Sequence, residues 1–364
     1  MATSVPERCM LELNINLHWG YNLMKNFRMK SISLTLFAGT LLVSGLTITQ
    51  PVAAETEILF NRFVPAKHPF NVGMFIPWAK DVERVTNGSV KVKFTEKSLA
   101  PPPKQWNMVS KGIADAAMLA NNFESGRLKL PNIAQVPFGA SLAEKRGLAM
   151  WRTHVKFLAK ANEYKGMKLL GQWTISAANI LADKPITKIS DLKNYKIWAI
   201  NGIPNKMMKN MGSVVVSVPG VKMFNVVSKG IVKGSVTSEY TLMVFKLMPY
   251  IKHITTIPGG FQSNNFSFLF SKKKWDGLST SEKEGITSIS GDTIAINAGK
   301  RVDFLDKKAR GLAKKKGIKY HKASPEFVAA IRKRSQFIVD DWLEIAAAKG
   351  VDGKAALEFF KSQN

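Results

Sequence analysis

Between residues 191 and 239, apolar runs and breakers alternate in an order that few folds accommodate. Lys196-Ile197-Trp198 is a short strand, a helix opens at Pro204 and stops at Gly212, and a second short strand follows; another helix stops at Gly230, and Val232-Lys233-Gly234-Ser235 leads into a third strand. Proline is tolerated in a first helical turn, where its missing N–H has no intrahelical partner, and glycine ends helices because it enters the left-handed region at little cost. Such alternation predicts an α/β chain with helices packed on largely parallel sheets.

The first 54 residues stand apart from that core. Met24 to Lys30 is a basic segment, Ile32 to Ile48 an apolar run, and Val52-Ala53-Ala54 places small residues before Glu55. This is the layout of a cleaved export signal with its cut near 54/55. The apolar run is shorter than the roughly 20 residues a membrane span needs, so it is not read as an anchor. Residues 1–23 carry scattered charges without targeting logic and read as preceding the true start. The only cysteine, Cys9, lies in this leader. The exported part is therefore expected to have no disulfide, thiol nucleophile or lipid-bearing cysteine, and to work in the periplasm.

Glu55 to Asn364 spans 310 residues, too long for one small core and suited to two domains. Residues 55–175 with about 262–300 read as the first domain, about 176–261 as the second, and about 301–364 as C-terminal helices packing across both. Along the first part, Ile58–Phe63 reads as a strand and Phe70–Val85 carries apolar residues at helical spacing up to Asn87-Gly88. Val90, Val92 and Phe94 alternate with lysines as a half-buried strand. A helix follows Pro101-Pro102-Pro103 and ends near Gly112; Asp115–Ala120 is a strand, Leu142–Asn162 a long helix, Met167–Trp173 a strand and Ile180–Asp183 an extended piece. Later come a helix near Tyr240–Leu247, extended segments at Ile251–Thr256 and Asn265–Phe270, and a helix capped by Ser279 or Ser281 with Glu282 in its first turn. The final hundred residues read as mostly helical.

The formal charge is +27, of which the leader accounts for little. A nucleic-acid surface is the sharp reading of such a value. Against it, the exported part has 40 lysines and only 9 arginines, spread over nearly every helix, whereas bidentate phosphate recognition favours arginine. A diffuse lysine surface fits better, and it raises the encounter rate of an anionic solute.

Several segments, in order, resemble one family. They are Phe63-Val64-Pro65-Ala66-Lys67-His68-Pro69, Trp78-Ala79-Lys80-Asp81-Val82-Glu83 with Thr86-Asn87-Gly88, and Lys111-Gly112-Ile113-Ala114-Asp115. Ile189 to Ile197, Met211-Gly212, Lys229 to Gly234 and Trp275-Asp276-Gly277-Leu278-Ser279 continue the series. The chain resembles the solute-binding subunit of a tripartite ATP-independent periplasmic (TRAP) transporter, of DctP type, over essentially its whole exported length. The resemblance implies a class II-like periplasmic binding-protein fold, with two α/β domains joined by crossing strands, a long bracing helix and a cleft that closes on one small organic solute. It also implies delivery to two membrane subunits, one small and one large.

Two departures bear on the solute. Many members end the strand after the Asp-Leu-Lys turn with an arginine that clamps a ligand carboxylate; here that position is Trp198, which either packs in its domain or walls an apolar part of the solute. Where the family has Val-Asp-Gly, this chain has Val232-Lys233-Gly234-Ser235-Val236-Thr237, placing Thr237 at a polar cleft position. Strand ends facing the gap add Asn121, Asn122 and Phe123, then Trp173, Thr174 and Ser176, then Phe261, Asn264 and Asn265. Arg62, beside the first strand end, is the cation that could replace the missing clamp; its other reading is a surface residue.

No catalytic, metal or cofactor site is expected. His68, His154, His253 and His321 lie at no short metal-ligand spacing, and there is no nucleophile elbow or phosphate-cradling glycine loop. Acid/base pairs assembled only in space stay open. The reading is a binding protein, with a periplasmic sensor of the same fold as the alternative.

Overall fold

A computed structural model describes residues 55–363. The export signal, its cut site and Cys9 fall outside these residues. In chain order the strands are β1 (Thr56–Asn61), β2 (Val90–Phe94), β3 (Ala116–Ala120), β4 (Met167–Thr174), β5 (Asn179–Ala182), β6 (Lys196–Trp198), β7 (Val214–Val216), β8 (Gly234–Thr237), β9 (His253–Thr256), β10 (Asn265–Ser271) and β11 (Lys319–Lys322). The α-helices are α1 (Ile76–Val85), α2 (Gln105–Ser110), α3 (Ala143–Thr153), α4 (Ile203–Asn210), α5 (Met223–Ser228), α6 (Thr241–Val244), α7 (Lys272–Asp276), α8 (Thr280–Ser288), α9 (Asp292–Lys315), α10 (Pro325–Ala348) and α11 (Gly353–Ser362).

The strands form two sheets, ordered β2-β1-β3-β10-β4 and β11-β9-β5-β8-β6-β7. This is the expected two-domain α/β architecture, but both sheets are mixed rather than largely parallel. β10 runs antiparallel to β3 and β4, and β5 antiparallel to β8 and β9. The cause is the crossing. A strand entering a sheet from the other sheet starts at the edge where its neighbours leave, and so runs against them. The two crossings also bond to each other: Ile175 N–H donates to Asn264 O at 3.1 Å, and Ala178 N–H to Gln262 O at 2.6 Å.

The C-terminal part is mostly helical, as expected, with β11 as an added strand. Lys-Tyr-His-Lys has no apolar alternation to betray a strand, and it pairs in parallel with β9 as a partly exposed edge. β1 ends at Asn61, two residues before the expected end, which leaves Phe63 in the following loop. Ser279 is the cap of α8, with a reciprocal bond from Glu282.

Aromatic packing dominates the core of the first sheet. Phe60 meets Phe75 at 4.6 Å between ring centres, and Trp78 meets Phe268 at 4.7 Å. Each such pair contributes about 0.5–1.5 kcal/mol beyond its area burial. One core of the second sheet is mainly aliphatic, with Leu181, Leu242, Ile251 and Ile254 beside Trp198.

α9 braces the two sheets. Ile294, Ala298 and Val302 lie in the core of the first sheet, and Ala313 near the far end lies in that of the second. Its crossing with α3 requires glycine: a Cβ on Gly299 would stand 2.2 Å from Glu144 Cα. One turn on, the Asp303 carboxylate accepts from Ala143 N–H at 2.8 Å and Glu144 N–H at 3.1 Å, satisfying orphan donors at the start of α3.

Candidate functional site

The ends of β1, β3, β4 and β10 face those of β6 and β8 across a cavity of about 610 Å³, measured out to its mouth. From the first sheet come Phe63, Val64, His68 and Phe70 in the loop after β1, Met118 and Ala120 on β3 with Phe123 beyond it, Ile175, and Asn264 and Phe266 at the start of β10. The second sheet supplies Trp198 and Ile200 after β6, Pro219 to Val221 before α5, Thr237 on β8, and Tyr240, Thr241 and Phe245 around α6. The wall is largely aromatic and aliphatic. Among the described residues, no lysine, arginine, aspartate or glutamate lines it.

Four residues named from the sequence stand on this wall: Trp198, Thr237, Phe123 and Asn264. Trp198 is 1% exposed, and its indole N–H donates to Val218 O at 3.0 Å. With that donor used, the ring offers a solute only apolar surface. Asn264 Oδ1 is buried without a partner, so it is an acceptor open to a bound molecule or water.

The other named residues have different partners. Arg62 donates twice to Thr95 O, at 3.2 and 2.8 Å, and lies over the Phe94 ring, tying the end of β1 to that of β2. Trp173 is one layer behind the wall, stacked on Phe266 at 5.5 Å, and Phe261 belongs to the hydrophobic core around Arg146 and Ala134. Asn121 accepts from Ser267 Oγ at 2.7 Å in a buried polar chain that continues to Tyr164 and Gln172. Asn122 is buried near Gly202, Thr174 reaches Ala143 O, and Asn265 bonds Pro131 O and Gln135. Lys233 is exposed.

Sequence reasoning passed over His68, Tyr240 and Phe245. His68 reads as an ordinary loop residue, yet burial lowers its pKa to about 4, so the ring is neutral at physiological pH. Its Nδ1 accepts from Phe70 N–H at 3.3 Å, which leaves the proton on Nε2. Burial, with the nearby Asp306 charge, raises the Tyr240 pKa, keeping its hydroxyl a donor. The cavity thus presents a few neutral polar groups on an apolar wall. Among the described residues, no cluster of three or more His, Cys, Asp or Glu is placed to hold a metal ion.

A second, charged crevice lies on the other side of the segment after β8. Glu239, 1% exposed, accepts from Arg310 Nη2 at 2.7 Å, Tyr320 Oη at 2.8 Å and Asn179 Nδ2 at 2.8 Å. Asp306 on α9 accepts from Ser176 Oγ and from Tyr240 N–H. Burial, reinforced by the charges of Glu239 and Asp303, lifts the Asp306 pKa to about 7 despite those bonds. Ser176, expected at the solute cleft, lies here instead.

Two mixed sheets joined by paired crossings, with an apolar cavity between their strand ends, are the architecture of a solute-binding receptor. The chain belongs to the bacterial extracellular solute-binding proteins of family 7, the DctP family, whose pattern it matches over residues 60–345. It is 33% identical to the outer membrane transporter protein TsaT of Comamonas testosteroni, over 90% of this chain and 98% of that one. The fold is similar to a TRAP periplasmic solute-binding protein of Bordetella bronchiseptica solved with (R)- and (S)-mandelate: 28% identity, TM-score 0.81, covering 85% of this chain and 98% of that one. It is also similar to a marine metagenome TRAP protein specific for aromatic acid ligands, at 26% identity and TM-score 0.77 over 85% and 98% of the two chains. TRAP receptors of this family are periplasmic and work with membrane transporter subunits. None of the helices among the described residues is long and apolar enough to cross a membrane.

Proposed function

We propose that this protein captures a small aromatic acid in the periplasm and delivers it to the small and large membrane subunits of a TRAP permease. The observation that carries the reading is the cavity wall, where Phe63, Phe123, Trp198, Phe245 and Phe266 all stand. Flat apolar walls favour a ring through area burial and stacking, at about 25 cal/mol per Å² plus the aromatic contribution. A linear dicarboxylate would leave two charges against a wall that carries none, a large desolvation cost. The solutes of the two structural relatives, mandelate and aromatic acids, support the same reading. On it, Trp198 walls the ring where other members clamp a carboxylate, and Thr237 and Asn264 orient the solute's polar substituents.

The test is thermal unfolding of the purified protein with monocyclic aromatic acids, aliphatic dicarboxylates and sugar acids. Ligand at a hundred times its Kd stabilises the folded state by about 2.7 kcal/mol, which raises the melting temperature measurably. Aromatic acids are expected to do so. Stabilisation by dicarboxylates or sugar acids alone would refute the proposal.

A further inference from the structure

Among the described residues, the cavity wall has no lysine or arginine, yet the crevice immediately outside has three. That outer crevice shares His68, Val221 and Phe245 with the cavity and is also lined by Lys67, Lys246 and Arg301, with no acidic residue among the described residues. None of the three cations forms an ion pair with another described residue. The apolar chamber therefore has a basic mouth, and His68, with its proton on Nε2, stands on the shared wall.

Two of these cations are held in ways that a solvated surface charge does not need. The stem of Arg301 lies against Gly73, where an added Cβ would stand 2.7 Å from its Cγ, and its guanidinium lies 5.8 Å from the Phe304 ring. Its Nε is buried without a partner. Lys246 has φ of +54° at the end of α6, with Leu247 N–H closing back to Leu242 O at 2.9 Å. Glycine or asparagine usually holds such a position, because a side chain there is strained. This chain places a lysine there, at the mouth.

We infer that the solute is an arene with one anionic group at its end, bound ring inward and anion outward, with the anion facing Arg301 and the His68 Nε2–H and drawn in by Lys67 and Lys246. This rests on the aromatic-acid reading and reverses the polarity of an internal arginine clamp: the ring goes in, and the charge stays at the wet rim. The class follows from the geometry. A second anionic group on the inner end of the ring would be desolvated without a partner, and a neutral arene would leave the mouth cations unused.

The experiment titrates the purified protein calorimetrically with benzoate and phenylacetate and with their neutral amides, benzamide and phenylacetamide. The acids are expected to bind at least about tenfold more tightly than the amides, with the advantage shrinking as salt is raised. Arg301→Gln should weaken the acids about fivefold and leave the amides unchanged, while Arg301→Lys should restore most of the loss. Lys246→Gly should weaken the acids about twofold while keeping or raising the melting temperature, a combination that no purely structural role predicts.

Acid binding that is unchanged in the triple variant Lys67→Gln/Lys246→Gly/Arg301→Gln would overturn the outward anion and leave the aromatic-acid reading standing. Equal losses for acids and amides would also overturn it, by showing that Arg301 acts through the fold. If none of the four compounds binds the wild-type protein, while dicarboxylates or sugar acids do, the functional reading fails and this inference with it.

Discussion

The cavity and the charged crevice are walled by opposite sides of one short segment. Thr237, Tyr240 and Thr241 face the cavity, whereas the side chain of Glu239 and the backbone N–H of Tyr240 face the crevice. On the cavity side the polar groups are neutral and sparse. On the crevice side a buried carboxylate is bound by three donors from β5, α9 and β11. The contrast separates two tasks. Apolar area binds a solute without requiring a particular charge, while directional bonds fix where α9 and the crossing strands sit around it. A receptor that kept its ion pairs inside the cavity would have to desolvate them for each solute; here they are satisfied next door and stay made.

Substitutions on each side should break that separation differently. Trp198→Ala removes a buried indole and is expected to lower folding stability by about 3–5 kcal/mol in urea unfolding, with solute affinity falling by a further 1 kcal/mol or so. Trp198→Phe keeps most of the burial and isolates the affinity term. Unchanged affinity in that variant and in any folded Trp198→Ala protein would return Trp198 to packing alone. On the crevice side, Arg310→Ala leaves Glu239 buried and short of its cation. The cost is on the order of 2 kcal/mol, below that of a fully buried pair because half of the Arg310 side chain is exposed to water. Affinity for an aromatic acid should change less than twofold; a large change would show that the two sides are coupled.

Acidity sharpens the comparison further. Asp306 holds its proton up to about pH 7 in the fold, against an ordinary value of 3.8, so unfolding releases a proton throughout that window. Its contribution to stability therefore falls as pH rises from about 4 through 7 and is flat above. Asp306→Asn should become more stable relative to wild type over that range, by at most about 1.4 kcal/mol per pH unit. His68 and His154 act in the opposite sense. Burial lowers both to about 4, so each favours the fold above 6.5 and loses that contribution as pH falls toward 4. The smallest effect belongs to Thr237→Val, which removes one wall hydroxyl at nearly constant volume. Solutes that bond it should lose about 1 kcal/mol, and stability should hardly move.

Much of the fold was written locally. Proline at the start of α4 and glycines at 212 and 230, with φ of +92° and +66°, punctuate the chain where strands and helices change over. Strand direction was not legible, because it follows from which sheet a strand comes from, a long-range fact. β11 escaped for another reason: an edge strand with lysine at both ends carries no apolar period. At the site, the family resemblance pointed to Trp198 and Thr237, and strand-end logic to Phe123 and Asn264, because their positions follow from the sheets. It could not tell a ring on the wall from one a layer behind, so Trp173 read like Phe123. Arg62 was singled out for its charge, which the Thr95 carbonyl already engages. His68, Phe245 and the mouth cations sit on loops and on α9, brought together only by the packed structure.

The carboxylate of Asp303 at the start of α3 has a consequence for how the molecule opens. Helix ends ordinarily fray, and their first amides exchange with solvent almost freely. Here the donors of Ala143 and Glu144 are held by a side chain 160 and 159 residues away in sequence, on a helix that packs directly at Gly299. Those amides can exchange only when α3 and α9 part. In hydrogen-exchange experiments the two helices should thus behave as one unit, with the first turn of α3 protected as strongly as the middle of α9.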